Sequence, residues 1–168
     1  CEMGRFDEAI EHGLDLLRLN PDDRLGVRHF LLPTLLECHR DADAARLLQT
    51  YDEPSAHWLY AKALLAFRLG GRCPSANSAI ERAIRVNPFV LEVICSDSPI
   101  PSPPGFAPGS MEEGYIVADE LLIAIQETDG AMEWMEEALL KSEKQRARQL
   151  RESRQKDRAK EKKKKRRR

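Results

Sequence analysis

Much is missing from these 168 residues. No apolar run reaches the length of about 18 that a membrane-crossing helix needs, and no signal-peptide pattern opens the chain. Four cysteines stand at positions 1, 38, 73 and 95, and no pair has the two-residue spacing of a metal knuckle or a redox motif. Cys38 and His39 are adjacent and do not easily both reach one metal. Reduced cysteines used as small hydrophobes, in a reducing intracellular compartment, are the expectation, with a cytoplasmic or nuclear location. Gly70-Gly71 lacks the following Gly or Lys-Ser/Thr of a phosphate loop, and no serine sits in a nucleophile elbow. His29 and Cys38 lie nine apart, on opposite sides of a helix. The acid pairs Asp22-Asp23, Glu112-Glu113 and Glu136-Glu137 are adjacent, so they diverge and cap helices or solvate the surface. These absences leave no catalytic residue, cofactor or metal to assign.

What is present is helical periodicity. Residues 55–88 read as two helices joined by a short turn. The first carries Trp58, Ala61, Leu65 and Leu69 on one stripe, and Gly70, Gly71 and Pro74 stop it. The second carries Ala76, Ile80, Ala83 and Ile84, and Asn87-Pro88 ends it. Residues 4–23 repeat the second-helix spacing, with Ala9, Leu16 and Pro21. Asn20-Pro21 and Asn87-Pro88 lie 67 residues apart, close to two repeat periods, and residues 24–50 supply a unit between them.

The unit at residues 55–88 resembles a tetratricopeptide repeat, a helix–turn–helix of about 34 residues. Trp58 opens it, Ala76 and Ala83 are seven apart, and Pro88 follows five after Ala83. It departs from the family in its longer turn, GGRCP, and in Lys62, where the family has a small residue. The wider run containing LNPDD, GVR and GAMEW is similar to a group of uncharacterised tetratricopeptide proteins from bacteria and algae. The resemblance implies an all-α, helical-repeat solenoid, entered midway through a repeat. The chain therefore reads as a fragment, with the exposed side of residues 6–19 lacking its cover.

The chain divides into residues 1–95, the repeats; 96–109, a loop; 110–140, two further helices packing on the array; and 141–168, a basic tail. Five of the ten prolines fall within residues 99–108, which excludes helix interior there. Ser110 and Glu113 form a capping-box pattern. Tyr115, Ala118, Leu122 and Ile125 then make one stripe, and Ala131, Trp134, Met135, Ala138 and Leu139 another. Trp134 reads as core rather than as a ligand platform.

The net charge of −1 hides an asymmetry. Residues 1–140 hold 11 basic and 24 acidic residues, net −13, whereas residues 141–168 hold 16 basic and 4 acidic, net +12. The tail lacks Gly, Pro and aromatics, cannot bury a core, and is rich in helix formers. It is expected as a helical extension or a disordered segment, with a hinge after Leu140 that lets it fold back on the acidic face.

Two surfaces carry the functional expectation, a non-enzymatic scaffold for protein–protein interaction. The resemblance implies a groove lined by first helices, where Arg28, His39, Arg40 and Lys62 are candidates to clamp an acidic peptide or a terminal carboxylate. The run Lys162, Lys163, Lys164, Lys165, Arg166, Arg167 and Arg168 resembles a nuclear-import signal, and equally suits an import receptor or nucleic-acid phosphates. It carries neither a lipidation motif nor an apolar anchor for a membrane, and a merely solvating end is the plain alternative.

Overall fold

Caps and prolines set the helix ends. Ser55 Oγ accepts from the Trp58 N–H at 3.3 Å to start one helix, and Gly71, at φ 62°, closes it. Pro74 opens the next in its first turn, where its missing N–H costs nothing. Asp23 accepts from the Val27 and Arg28 N–H groups at 2.8 and 3.0 Å, so one member of an acid pair does cap a helix.

The computed structural model describes residues 2–96 and 98–165, with side chains for 5–96 and 98–154. The described residues are all-α and contain no strand. The helices are α1 (Glu2–Leu19), α2 (Val27–Glu37), α3 (Asp41–Thr50), α4 (Ala56–Gly70), α5 (Pro74–Val86), α6 (Phe89–Ile94), α7 (Met111–Gln126) and α8 (Ala131–Lys165). Cys38, Cys73 and Cys95 are free thiols.

From α1 to α5 each helix packs on the next, and α4 with α5 makes the most extensive pair. Trp58, Tyr60, Leu64, Leu35, Leu91 and Leu121 are all fully buried, so one core runs from α2 to α7. Trp134 is buried too and stacks on Phe67, with ring centroids 4.6 Å apart. Leu69 departs from the expected stripe. It is 73% exposed, at the side of an open groove between α3 and α4.

After the prolines the chain does not simply stack on the end. α7 pairs with α6 and then reaches back across α2 and α4, while α8 lies along α5 and touches α6 and α7. The α6–α7 approach is close at Gly114. A Cβ there would stand 2.9 Å from Phe89 Cβ and 3.2 Å from its backbone carbon. Backbone cannot yield as a side-chain tip can. Gly114→Ala should therefore lower the melting temperature, although Ala is favoured by about 1 kcal/mol in an open helix. A thermal melt followed by circular dichroism reads the sign.

The expected hinge after Leu140 is not found, since α8 runs unbroken for 35 residues, a rod of about 52 Å. Its first turns are fastened to the body. Trp134 Nε1 donates to Asn77 Oδ1 at 2.9 Å, Arg72 donates twice to Glu137, and Lys141 reaches Glu81 at 2.7 Å. Strong helix formers carry it onward, and every described side chain from Glu143 to Arg154 is exposed. As far as Lys165 the tail thus leaves the body as a continuation of α8 rather than folding back.

Candidate functional site

The four groove candidates do not meet in one place, and each faces an acid of the chain itself. Arg28, on the first turn of α2, is 21% exposed. Its guanidinium donates to Asp23 at 2.9 Å and to Glu53, and lies 5.2 Å from the Tyr51 ring centre. Arg40 sits beyond the other end of α2 and contacts Asp43 at 2.7 Å and Glu11 at 3.1 Å. His39 beside it adopts φ 54° and lies 3.8 Å from Glu127. Lys62, on α4, pairs with Asp52 in an open groove of about 510 Å³ between α3 and α4. Of the tail run, Lys162 to Lys165 lie within the helical backbone of α8. Their side chains, and Arg166, Arg167 and Arg168 altogether, lie outside the described residues.

The face made by α2 and α4 is covered by α7, and the groups that hold it there are polar. Arg68 is the centre of this join, with a side chain only 5% exposed. Its Nη1 donates to Leu36 O at 2.7 Å and Asp41 Oδ1 at 2.8 Å, Nη2 to Ala124 O at 2.9 Å, and Nε to Thr128 Oγ1 at 2.8 Å. One guanidinium thereby ties the end of α2, the start of α3, and α7. Asn87 does the same for α6 and α7. Its Nδ2 donates to Ser110 O at 2.9 Å and to Glu113 Oε2 at 2.8 Å, and its Oδ1 accepts from the Phe89 N–H at 3.0 Å. Its backbone oxygen accepts from the Tyr60 hydroxyl at 2.8 Å. Ser110 Oγ accepts from the Glu113 N–H at 3.2 Å, the first half of the expected capping box. The Glu113 carboxylate, however, accepts from the Gly109 N–H at 2.6 Å instead of that of Ser110, which donates to Ala107 O. In the sequence Asn87 reads only as punctuation, and nothing singles out Arg68.

A titratable pair sits under α7. His57 is 8% exposed, and its Nδ1 lies 3.6 Å from Glu120 Oε2. His29 stands over it with ring centroids 6.1 Å apart. Burial, helped by His29, pushes the His57 imidazole down to about 4. Burial, helped by Asp119, pushes the Glu120 carboxyl up to about 7. Neutral forms are therefore favoured on both sides. The Glu120 contribution to stability is complete below its unfolded value of 4.5 and is lost as pH rises through 7. The His57 contribution is complete above 6.5 and is lost as pH falls through 4. Glu120→Gln should accordingly remove the loss that accrues between pH 4.5 and about 7, an amount on the order of 1 kcal/mol after discounting for a partly exposed group. Urea melts at pH 5, 7 and 8.5 measure it; wild-type and variant curves that run parallel would overturn it.

A second cleft, of about 500 Å³, lies elsewhere, between α5 and α8. Ile80 and Ile84 on α5 form its floor with Trp134 and Ala138 on α8. Farther along α8 the wall continues as Ser142, Gln145 and Gln149, at helical spacings of three and four. Arg85, Lys141 and Arg146 stand on its rim against Glu81 and Glu137. Lys141 pairs with Glu81, and Glu137 with Arg72, so Arg85 and Arg146 make no ion pair among the described residues. Among the described residues no group of His, Cys, Asp and Glu side chains is arranged to hold a metal ion, and no helix is long and apolar enough to cross a membrane.

Set against protein-family models, curated proteins and solved structures, the chain matches none.

Proposed function

We propose that this chain is a non-enzymatic interaction scaffold built on tetratricopeptide-like helix pairs. The observation that carries the reading is the α5/α8 cleft, an apolar floor with Arg85 and Arg146 on its rim making no ion pair among the described residues, presented by helices that pack one on the next. The repeat assignment rests on the Trp58, Ala76, Ala83 and Pro88 spacing and on its partial copies. The face of the first helices is filled by α7 in this chain, so the proposed docking surface lies on α5 and α8 instead. The test is affinity capture on immobilised full-length chain, with and without nuclease. A discrete set of proteins retained after nuclease supports the scaffold. Loss of every partner on nuclease treatment would overturn it.

A second reading is favoured by the wholly exposed stretch of α8 from Glu143 to Arg154, which leads into the tail run of cations. It makes the tail a sequence-indifferent phosphate binder, in a nuclear or nucleic-acid-associated protein. If about six phosphates are engaged, log affinity should fall with log salt with a slope of about −5. Anisotropy titrations against two unrelated oligonucleotides check this. A flat salt response or a strong sequence preference counts against it.

A further inference from the structure

We propose that the α5/α8 cleft takes an acidic amphipathic helix from a partner protein. This rests on the scaffold reading and names the chemistry of the partner.

The shape points to a helix. The two helices are joined where Trp134 donates to Asn77, and the cleft between them is apolar on its floor, at Ile80, Ile84, Trp134 and Ala138, and polar along the rest of α8. A third helix fits such a trough by laying one ridge of side chains into it. The trough follows α8 from Trp134 to Gln149, about 22 Å, which is room for roughly four turns. No sheet edge borders it among the described residues, so an extended strand would find no backbone ladder to join.

The charge points to acid. Arg85 and Arg146 flank the apolar floor and are unpaired among the described residues. Beyond them α8 goes on with exposed Arg151 and Arg154, and with Arg148, which pairs with Glu152 at 2.9 Å. The rest of the body is acidic, with net −13 over residues 1–140. An acidic segment is therefore repelled over most of the surface and attracted along this strip. Such an arrangement selects the site by repulsion elsewhere as much as by attraction within. The amides of Gln145 and Gln149 offer further donors to carboxylates on the upper side of the bound helix.

Nucleic acid suits the cations but not the floor. Trp134, the aromatic in the lining, is only 3% exposed and already stacked on Phe67, so it offers no face to a base.

The test uses the full-length chain and three labelled probes read by fluorescence anisotropy. One is a synthetic peptide of about 18 residues, with leucines at helical spacing on one side and glutamates on the other. The second has the same composition scrambled to abolish the stripe. The third is a single-stranded RNA oligonucleotide. The striped peptide should bind at least about tenfold more tightly than the scramble. Arg85→Glu with Arg146→Glu should weaken it at least about tenfold, and Gln145→Trp, which plugs the trough without changing charge, should do the same. These positions are exposed, so circular dichroism should show unchanged helix content. A matched reversal, Lys163→Glu with Lys164→Glu, should matter much less. Equal binding of stripe and scramble, equal effects of groove and tail reversals, or tighter RNA binding lost with the groove variants would each overturn the proposal. Suppose the proteins captured by wild-type chain persist unchanged on the Arg85→Glu, Arg146→Glu chain. The cleft inference then fails while the scaffold reading stands. Capture of no nuclease-resistant protein by wild type is the separate failure of that reading.

Discussion

Arg68→Met should lower stability by about 3–5 kcal/mol, the usual cost of removing one partner from a buried, hydrogen-bonded charge. Methionine matches the length of the arginine stem, so the loss is polar rather than steric. Leu36 O and Ala124 O would lose the donors they have in Arg68, and Asp41 would lose its 2.8 Å partner. For a chain of this size the melting temperature should fall by about 10 °C. Arg68→Lys should recover less than half of the loss, because an ammonium radiates from one point and cannot span partners on α2, α3 and α7 together. Urea denaturation of both variants measures this. A melt within 2 °C of wild type, as an approximate limit set by that scale, would show that α7 is not fastened here.

Trp58→Ala should cost a similar amount, about 3–5 kcal/mol, through the cavity left by a fully buried indole. A second substitution separates volume from polarity. Trp58 Nε1 is buried without a hydrogen-bond partner among the described residues, and the neighbouring His57 Nε2 is in the same condition. An unpartnered buried donor is itself a cost of about 1–3 kcal/mol. Trp58→Phe removes that donor while keeping much of the ring, so it should lose far less than its change in volume implies. If Trp58→Phe is as damaging as Trp58→Ala, the indole nitrogen has a partner after all. If Trp58→Ala barely moves the melt, Trp58 is not core.

The helices were legible wherever a single stripe met a single neighbour. The α4 and α5 ends follow from Ser55, Gly71 and Pro74, and the burial of Trp58, Ile80 and Ala83 follows from three-and-four spacing. The start of α7 was readable from the Ser110 and Glu113 spacing. What could not be read is where α7 goes. Its expected stripe of Tyr115, Ala118, Leu122 and Ile125 demands a partner but names none. In the fold Ala118 and Ile125 are buried together with Val117 and Leu121, while Tyr115 and Leu122 are only half-buried. Residues 96–109 are long enough to deliver the helix to several faces. The contacts that decide the matter join residues 56 and 60 positions apart, Arg68 with Ala124 and with Thr128. Nothing local marks Arg68 as different from an ordinary last-turn arginine. The candidate site was missed for the same reason. Arg85 and Arg146 become neighbours of one cleft only once α8 lies along α5. The clamp candidates were sought on first helices, and there the structure supplies Arg28, Arg40 and Lys62 with carboxylates of the chain's own.

The unbroken run of α8 gives the molecule the electrostatics of a long zwitterion. Its positive end is held at a distance from its negative body by a helical strut, and neither neutralises the other. The isoelectric point near 6.5 then says little about how the protein meets a charged surface. At that pH it presents one pole to an anion exchanger and the other to a cation exchanger, and low salt should find it adhering to both resins. Molecules that cancel only on average also orient in each other's fields. Turbidity near the isoelectric point should clear with added salt, the reverse of salting out, because ions shorten the reach of each pole to about 10 Å at 0.1 M.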